Sequence, residues 1–119
     1  MRGEEAAPGQ VTADEFARVR MQVGRVVRAE PLVRTRKPAY QLWIDFGPEG
    51  VRRSSAQLAV LYGCEELVGR LVVAVTNLPP RQVANVLSEV LVLGVPGELA
   101  GEVVLLRPDR EVELGSMIF

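Results

Sequence analysis

A chain of 119 residues and 13.0 kDa is long enough for one domain with one hydrophobic core. Its net charge of −1 and pI near 5.5 exclude a protein that coats nucleic acid or anionic membrane through bulk charge alone. Histidine is absent and cysteine occurs once, which excludes the usual zinc ligand sets and an internal disulfide, so we expect a reduced, cytoplasmic protein with no cofactor or metal.

The chain begins with a polar segment. Residues 1–11 are rich in Gly, Ala, Pro and Glu, and we expect a flexible N-terminal tail followed by a single domain over residues 12–119. Thr12 and Glu15 have the spacing of a capping box and predict a short helix through Phe16. No apolar run is long enough to span a bilayer, so no membrane insertion is expected.

Alternation of apolar and polar residues predicts the first three strands. Residues 18–23 alternate in this way, and Gly24 shifts the phase of the pattern as a β-bulge would. Strands over residues 40–46 and 51–53 flank a Gly-Pro-Glu-Gly turn and are predicted to form a hairpin.

The remaining elements alternate between short helices and strands. Residues 55–61 and 65–68 favour helical pieces, the second of which ends at Gly69. The strands predicted beyond them cover residues 71–75, 86–93, 102–107 and 114–119.

This order of elements predicts an all-β fold. Five core strands with a short helix between the third and the fourth are the layout of an OB-fold barrel, whose outer face binds oligonucleotides. A composition of 48% hydrophobic but only 5% aromatic residues supports a core of aliphatic, often β-branched side chains. Residues 95–119 carry more strand than the barrel requires, and we expect them to form a surface for a partner chain.

Basic residues are concentrated in the first third of the chain. Residues 18–37 contain seven basic residues and one acid, Glu30, which predicts a basic face on a nearly neutral body. The candidate phosphate contacts stand at strand ends and are Arg36, Lys37, Arg52 and Arg53. The alternative for each of them is a solvated surface charge with no ligand.

Small polar residues follow the third strand. Ser54, Ser55 and Gln57 have hydroxyls and an amide that can contact sugar hydroxyls or base edges of RNA. Ser54 or Ser55 also fits the N-cap of the helix predicted after them. Capping and binding do not exclude each other.

A second polar set surrounds two prolines. Asn77 and Arg81 flank Pro79-Pro80, while Ser88 and Glu89 interrupt an apolar strand, so a polar cluster that can bind a ligand is expected beside the barrel mouth. In the alternative, Arg81 and Glu89 pair with each other and hold the loop in place.

Two aromatic residues are candidates for peptide binding. Trp43 lies in the polar register of the second strand, where an indole can stack on a base or receive an apolar peptide side chain. Tyr40 is nearby in the opposite register. In the alternative, Trp43 is covered by a dimer partner or by the terminal segments.

Five motifs in one order resemble a known family: Val23-Gly24, Arg36-Lys37-Pro38-Ala39-Tyr40, Ser54-Ser55-Ala56-Gln57, Asn77-Leu78-Pro79-Pro80-Arg81 and Ser88-Glu89-Val90-Leu91. Over residues 12–119 they resemble the tRNA-binding OB-fold domain family, and within it the CsaA-type export-related chaperones. The resemblance implies a homodimer built by the termini, a tRNA-binding face and a site for unfolded or secretory polypeptides. The chain departs from the family pattern at Arg20 and Gln22, which replace an acid and a base.

We therefore expect a noncatalytic tRNA-binding homodimer that acts as a chaperone in protein export. No nucleophile–base pair is apparent without histidine, so an enzyme is not expected. The alternative is a holdase that binds unfolded or secretory polypeptides through an apolar groove, with RNA binding secondary.

Overall fold

A computed structural model describes residues 5–33 and 35–119 of the chain. The first four residues of the predicted tail and Arg34 of the basic loop lie outside the described residues. The helices are α1 (Ala13–Ala17) and α2 (Cys64–Leu67). The strands are β1 (Met21–Pro31), β2 (Tyr40–Asp45), β3 (Val51–Ala56), β4 (Leu71–Val75), β5 (Arg81–Val83), β6 (Val86–Ser88), β7 (Leu91–Val92), β8 (Gly94–Pro96) and β9 (Val103–Leu105).

Five strands form the main sheet, in the order β3-β2-β1-β4-β7, and all of its pairs are antiparallel. The two edge strands, β3 and β7, contact each other, so the sheet curls into a nearly closed barrel. The short helix α2 lies between β3 and β4. The predicted all-β, OB-fold-like class is therefore confirmed. Among the described residues, no helix is long and apolar enough to cross a membrane.

The long strand β1 joins the two halves of the barrel because it pairs with β2 along one part and with β4 along another. Its register shifts between Val26 and Arg28, so the predicted bulge exists but lies beyond Gly24. Gly24 has a packing role instead. A Cβ at this position would lie 2.5 Å from Ile44 Cγ2 and 2.7 Å from Phe46 Cε1, so only glycine fits against these two buried side chains.

The core fills the barrel with aliphatic side chains and one phenylalanine. Leu42, Ile44 and Phe46 of the second strand and the residue after it are fully buried, as their alternation predicts. Leu67 of α2 is also fully buried and belongs to the same cluster.

The predicted helix over residues 55–61 is wrong. Ser54, Ser55 and Ala56 continue β3 and pair with β2, and the N–H of Ser55 donates to Ser88 Oγ at 3.0 Å. The expected helix caps at these serines are therefore absent. The second helical piece is confirmed as α2, which is followed by Gly69 at φ +93°. Strand pairing outweighed the local helical pattern because it satisfies several backbone groups at once.

The predicted strand over residues 86–93 is two strands. Its first part is β6, which forms a hairpin with β5, and its last part is β7, which pairs with β4. The two are separated at Glu89, whose N–H donates to the Arg53 carbonyl at 2.8 Å. This contact redirects the chain from the hairpin to the barrel.

The C-terminal strands are only partly confirmed. The strand predicted over residues 102–107 is present as β9, which pairs with β8. Residues 114–119 form one isolated bridge, between Gln22 and Met117. Gln22 is 1% exposed, and its amide donates to the Gly115 carbonyl at 3.0 Å and to Glu49 at 2.9 Å. Gln22, one of the two residues that depart from the family pattern, therefore helps to hold the C-terminal segment against the barrel.

Candidate nucleic-acid interface

An open groove of about 1020 Å³ lies beside the barrel. Its walls come from the loop before β2, the end of β3, the β5–β6 hairpin and strands β7 to β9. Five of the predicted site residues line it together: Arg36, Lys37, Ser55, Gln57 and Arg81. We call this feature the groove.

The groove is cationic at its edges. Arg36, Lys37 and Arg81 are exposed, and none of them forms an ion pair with a carboxylate of residues 5–33 or 35–119. None of the described residues that line the groove is Asp or Glu. Three uncompensated positive charges therefore face one opening, which favours phosphate groups.

The floor of the groove is apolar. Leu58 and Leu105 are buried there, and Leu91 is 44% exposed. Ser55 and Gln57 place a hydroxyl and an amide beside this floor. Cations, an apolar floor and two hydrogen-bonding side chains together suit a nucleotide, which has a phosphate, a flat base and sugar hydroxyls. The floor residues of β7 and β9 were not predicted from the sequence because they have no local signal and meet the groove only through packing.

Three of the predicted tRNA-binding residues are engaged inside the protein. The hydroxyl of Ser54 donates to the Val90 carbonyl at 3.0 Å, and Ser54 is 1% exposed. Ser88 is also buried, and its hydroxyl accepts from the N–H of Ser55. The Glu89 carboxylate accepts from the N–H of Arg53 at 2.9 Å. These contacts fasten the β6–β7 connection to β3.

The Arg81–Glu89 pair, the alternative to ligand binding at these two residues, does not form. Arg81 lies opposite Ser88 in the β5–β6 hairpin, whereas Glu89 has turned towards β3 and lies 3.5 Å from Arg53 Nε. Because the chain changes direction at Glu89, its carboxylate pairs with Arg53. Arg81 is left without a carboxylate partner in the described part of the chain.

Asn77 and Arg52 have structural contacts away from the groove. The Asn77 amide accepts from the Arg20 N–H at 2.9 Å and donates to the Arg18 carbonyl at 2.7 Å, which joins the proline loop to the segment after α1. Arg52 donates to the Thr76 carbonyl at 3.3 Å. Arg52 and Arg53 are adjacent in β3, so their side chains leave opposite faces of the sheet.

Tyr40 and Trp43 lie on opposite faces of β2. Tyr40 packs against the core, and its hydroxyl donates to the Tyr62 carbonyl at 2.8 Å. Burial, followed by the neighbouring Cys64 thiol and Glu66 carboxylate, raises the pKa of Tyr40 above its usual value of 10.0. Trp43 lies on the outer face, with the guanidinium carbon of Arg28 at 4.3 Å from its ring centroid. The structure therefore does not bring the two aromatic candidates into one site.

Comparison with known proteins identifies the family of this chain. The family described as "Putative tRNA binding domain" matches residues 21–117. The crystal structure of the chaperone CsaA from Bacillus anthracis is 43% identical, with a TM-score of 0.86, covering 92% of this chain and 99% of that one. CsaA from Picrophilus torridus is 39% identical, with a TM-score of 0.83, covering 92% and 100%.

A curated relative is much longer than this chain. The methionine–tRNA ligase of Methanosarcina acetivorans is 35% identical over 109 residues, which are 92% of this chain but 15% of the ligase. The motif-based resemblance is thus confirmed over almost the whole described domain. The chain belongs to the tRNA-binding domain family and is CsaA-like in sequence and fold.

Proposed function

We propose that this chain is a noncatalytic tRNA-binding protein that acts in the cytoplasm as a homodimer with a CsaA-type chaperone role in protein export. The observation that carries the proposal is the groove, where Arg36, Lys37 and Arg81 have no carboxylate partners among the described residues. Family membership supports the choice of tRNA as the polyanion.

Each part of the groove has a role in this proposal. Arg36, Lys37 and Arg81 contact phosphates and contribute affinity through counterion release. Ser55 and Gln57 hydrogen-bond sugar hydroxyls or base edges, which distinguishes RNA from an unspecific polyanion. The protein performs no reaction on the RNA, a reading supported by the absence of histidine from the sequence.

The homodimer is supported by apolar side chains near both ends of the chain. Phe16 of α1 is 43% exposed, Val95 of β8 is 46% exposed and Met117 is 44% exposed. Apolar side chains that are exposed in a single chain commonly mark a surface that a partner protein covers. Two copies related by a two-fold axis double the number of grooves available to one structured RNA. Light scattering after gel filtration should give twice the 13.0 kDa mass of one chain.

The experiment that tests RNA binding is a titration of labelled tRNA over a salt series. Contacts from three cations predict a slope of roughly −2 to −3 in the plot of log affinity against log salt concentration. A flat plot would contradict phosphate contact in the groove. An equal-length polyanion such as heparin, bound as tightly as tRNA, would contradict recognition by Ser55 and Gln57.

A second candidate function is binding of unfolded or secretory polypeptides, with RNA binding secondary. The apolar floor of the groove favours it, because an extended peptide can place aliphatic side chains against Leu91 and Leu105. Competition between tRNA and a denatured preprotein tests whether both ligands use the groove. Aggregation suppression that persists in high salt but is lost in Leu91→Ser would favour the polypeptide as the main ligand.

A further inference from the structure

Three side chains form a row across the outer face of the barrel. Arg28 of β1 is paired in register with Trp43 of β2, and Trp43 is paired with Arg53 of β3. Residues paired in this way project from the same face of a sheet. We call these three residues the stacking row.

The guanidinium of Arg28 lies over the indole of Trp43. Its guanidinium carbon lies 4.3 Å from the ring centroid of Trp43. Its Nε donates to Glu30 Oε2 at 2.8 Å, and Nη2 donates to the same oxygen. The Arg28 side chain is 59% exposed, so the guanidinium remains accessible while one face covers Trp43.

The stacking row differs from the groove in charge. Glu30 pairs with Arg28 and Glu89 pairs with Arg53, so the two cations of the row are balanced by two carboxylates. A phosphate gains little from such a neutral surface. What the row offers instead is planar π surface, from an indole and two guanidinium groups, and unpaired bases of RNA stack on such groups.

The row is continuous with the groove. Gln41 lies between Glu30 and Ser55 in the adjacent row of the sheet, and Ser55 lines the groove. Ser55 follows Arg53 by two residues, which is about 6.7 Å along a strand. A nucleotide chain with a phosphate in the groove can therefore reach the row with a neighbouring base.

We propose that the stacking row binds an unpaired base of the RNA whose backbone lies in the groove. The ligand class is thus a structured RNA with at least one unpaired nucleotide next to the phosphate contacts, and not a continuous duplex. This inference rests on the proposed RNA-binding function. It adds a recognition element made of residues that do not line the groove.

The test uses the intrinsic fluorescence of Trp43, which is the only tryptophan of the sequence. A single-stranded oligoribonucleotide should quench this fluorescence by about half as a base stacks on the row, whereas a duplex of the same sequence should leave it almost unchanged. Equal quenching by both RNAs, or quenching by neither, would overturn the proposal.

Variants separate stacking from a merely structural role. Trp43→Leu should weaken single-stranded RNA binding by about fivefold to 100-fold, while Trp43→Phe should retain most of the affinity because it keeps a ring. Equal affinity of the Leu and Phe variants would count against stacking. If Trp43→Leu does not fold, Arg28→Ala takes its place, and Arg20→Ala is the matched control because Arg20 pairs with Glu49 away from the row.

The two proposals fail in different ways. Salt-dependent tRNA binding without a response of Trp43 would overturn the stacking row and leave the groove intact. Absence of any salt-dependent tRNA binding would overturn the RNA-binding function and, with it, the row. A loss of single-strand affinity in Trp43→Leu, with an unchanged salt slope, supports both.

Discussion

The arginines of β1 and the cations of the groove occupy different electrostatic settings. Around β1, Arg20 pairs with Glu49 at 2.8 Å, Arg25 pairs with Glu111 at 2.8 Å, and Arg28 pairs with Glu30. The cations of the groove, Arg36, Lys37 and Arg81, have no such partner among the residues that the structure describes. Arg36 and Lys37 belong to the same basic segment, residues 18–37, as the paired arginines, so the density of basic residues along the chain does not separate paired cations from unpaired ones.

Pairing with a carboxylate changes the electrostatic potential around the protein more than it changes the free energy of unfolding. An exposed ion pair contributes only about 0–1 kcal/mol to the free energy of unfolding. It nevertheless removes one positive charge from the potential that a polyanion meets at a distance. The paired arginines in and next to β1 consequently add little to the attraction of RNA.

The largest expected effect comes from matched double variants. Arg36→Ala with Lys37→Ala should lower tRNA affinity by about tenfold to 100-fold at low salt and reduce the salt slope by about two. Arg20→Ala with Arg25→Ala removes the same charge from paired sites and should change affinity by less than about threefold. Anisotropy of labelled tRNA measures both. Equal losses of tRNA affinity in the two double variants would mean that both regions contribute equally to the positive potential that attracts the RNA.

A reciprocal pair of substitutions tests backbone strain in the two regions. Ala84, in the β5–β6 turn that lines the groove, has φ 52°, so Ala84→Gly should raise the free energy of unfolding by about 1 kcal/mol. Gly69 has φ +93°, and its carbonyl accepts from Arg25, so Gly69→Ala should lower that free energy by about 1 kcal/mol.

Urea unfolding of both variants checks these signs. The tRNA affinity of Ala84→Gly should stay within about twofold of the parent, because the charges of the groove are unchanged. A larger change in affinity would show that the shape of the hairpin, as well as its charge, controls the groove.

A third prediction concerns the anchor beside the groove loop. Tyr40→Phe removes the hydrogen bond to the Tyr62 carbonyl and should lower the free energy of unfolding by about 1 kcal/mol, without changing tRNA affinity at neutral pH. The raised pKa of Tyr40 means that the unfolded chain loses this proton first. The contribution of Tyr40 to the free energy of unfolding is therefore complete below pH 10.0. It falls as pH rises through the higher pKa of the folded state.

Urea unfolding between neutral and alkaline pH measures this dependence. Stability of the parent protein should decline more steeply above pH 10.0 than stability of Tyr40→Phe. If the stability of both proteins declines equally, titration of groups other than Tyr40 causes the loss of stability at alkaline pH.

The smallest effect is expected from unmasking a paired arginine. Glu111→Gln releases Arg25, whose Nη2 contacts both carboxylate oxygens, and should raise tRNA affinity by about twofold to fivefold with a slope steeper by about one. The free energy of unfolding should change by less than about 1 kcal/mol. An unchanged affinity would show that RNA does not approach this side of the barrel.

Local patterns predicted much of this fold. The capping box of Thr12 and Glu15 is present at α1, and burial alternates along β2 as the apolar–polar pattern of the sequence predicts. The helix predicted at residues 55–61 failed because β3 continues through Ser54 and Ser55. There, hydrogen bonds to Ser88 and Val90, more than thirty residues away, outweighed the local propensity.

The candidate site was predictable in part for the same reason. Residue type and position, before the second strand for Arg36 and Lys37 and beside the two prolines for Arg81, indicated three cations that do line the groove. Nothing local distinguished Ser55, which lines the groove, from its neighbour Ser54, whose hydroxyl bonds inside the protein. The alternation of a strand assigns adjacent residues to opposite faces, but the tertiary fold decides which face a ligand meets.

The sequence by itself determined the barrel class and the family, because apolar alternation, turns and motif spacing are properties of short segments. Only the tertiary structure decided which basic side chains pair with a carboxylate and so add little to the positive potential. The carboxylates that pair with Arg20 and Arg25 come from positions 29 and 86 residues further along the chain. Charge compensation depends on distance through space, and folding sets that distance.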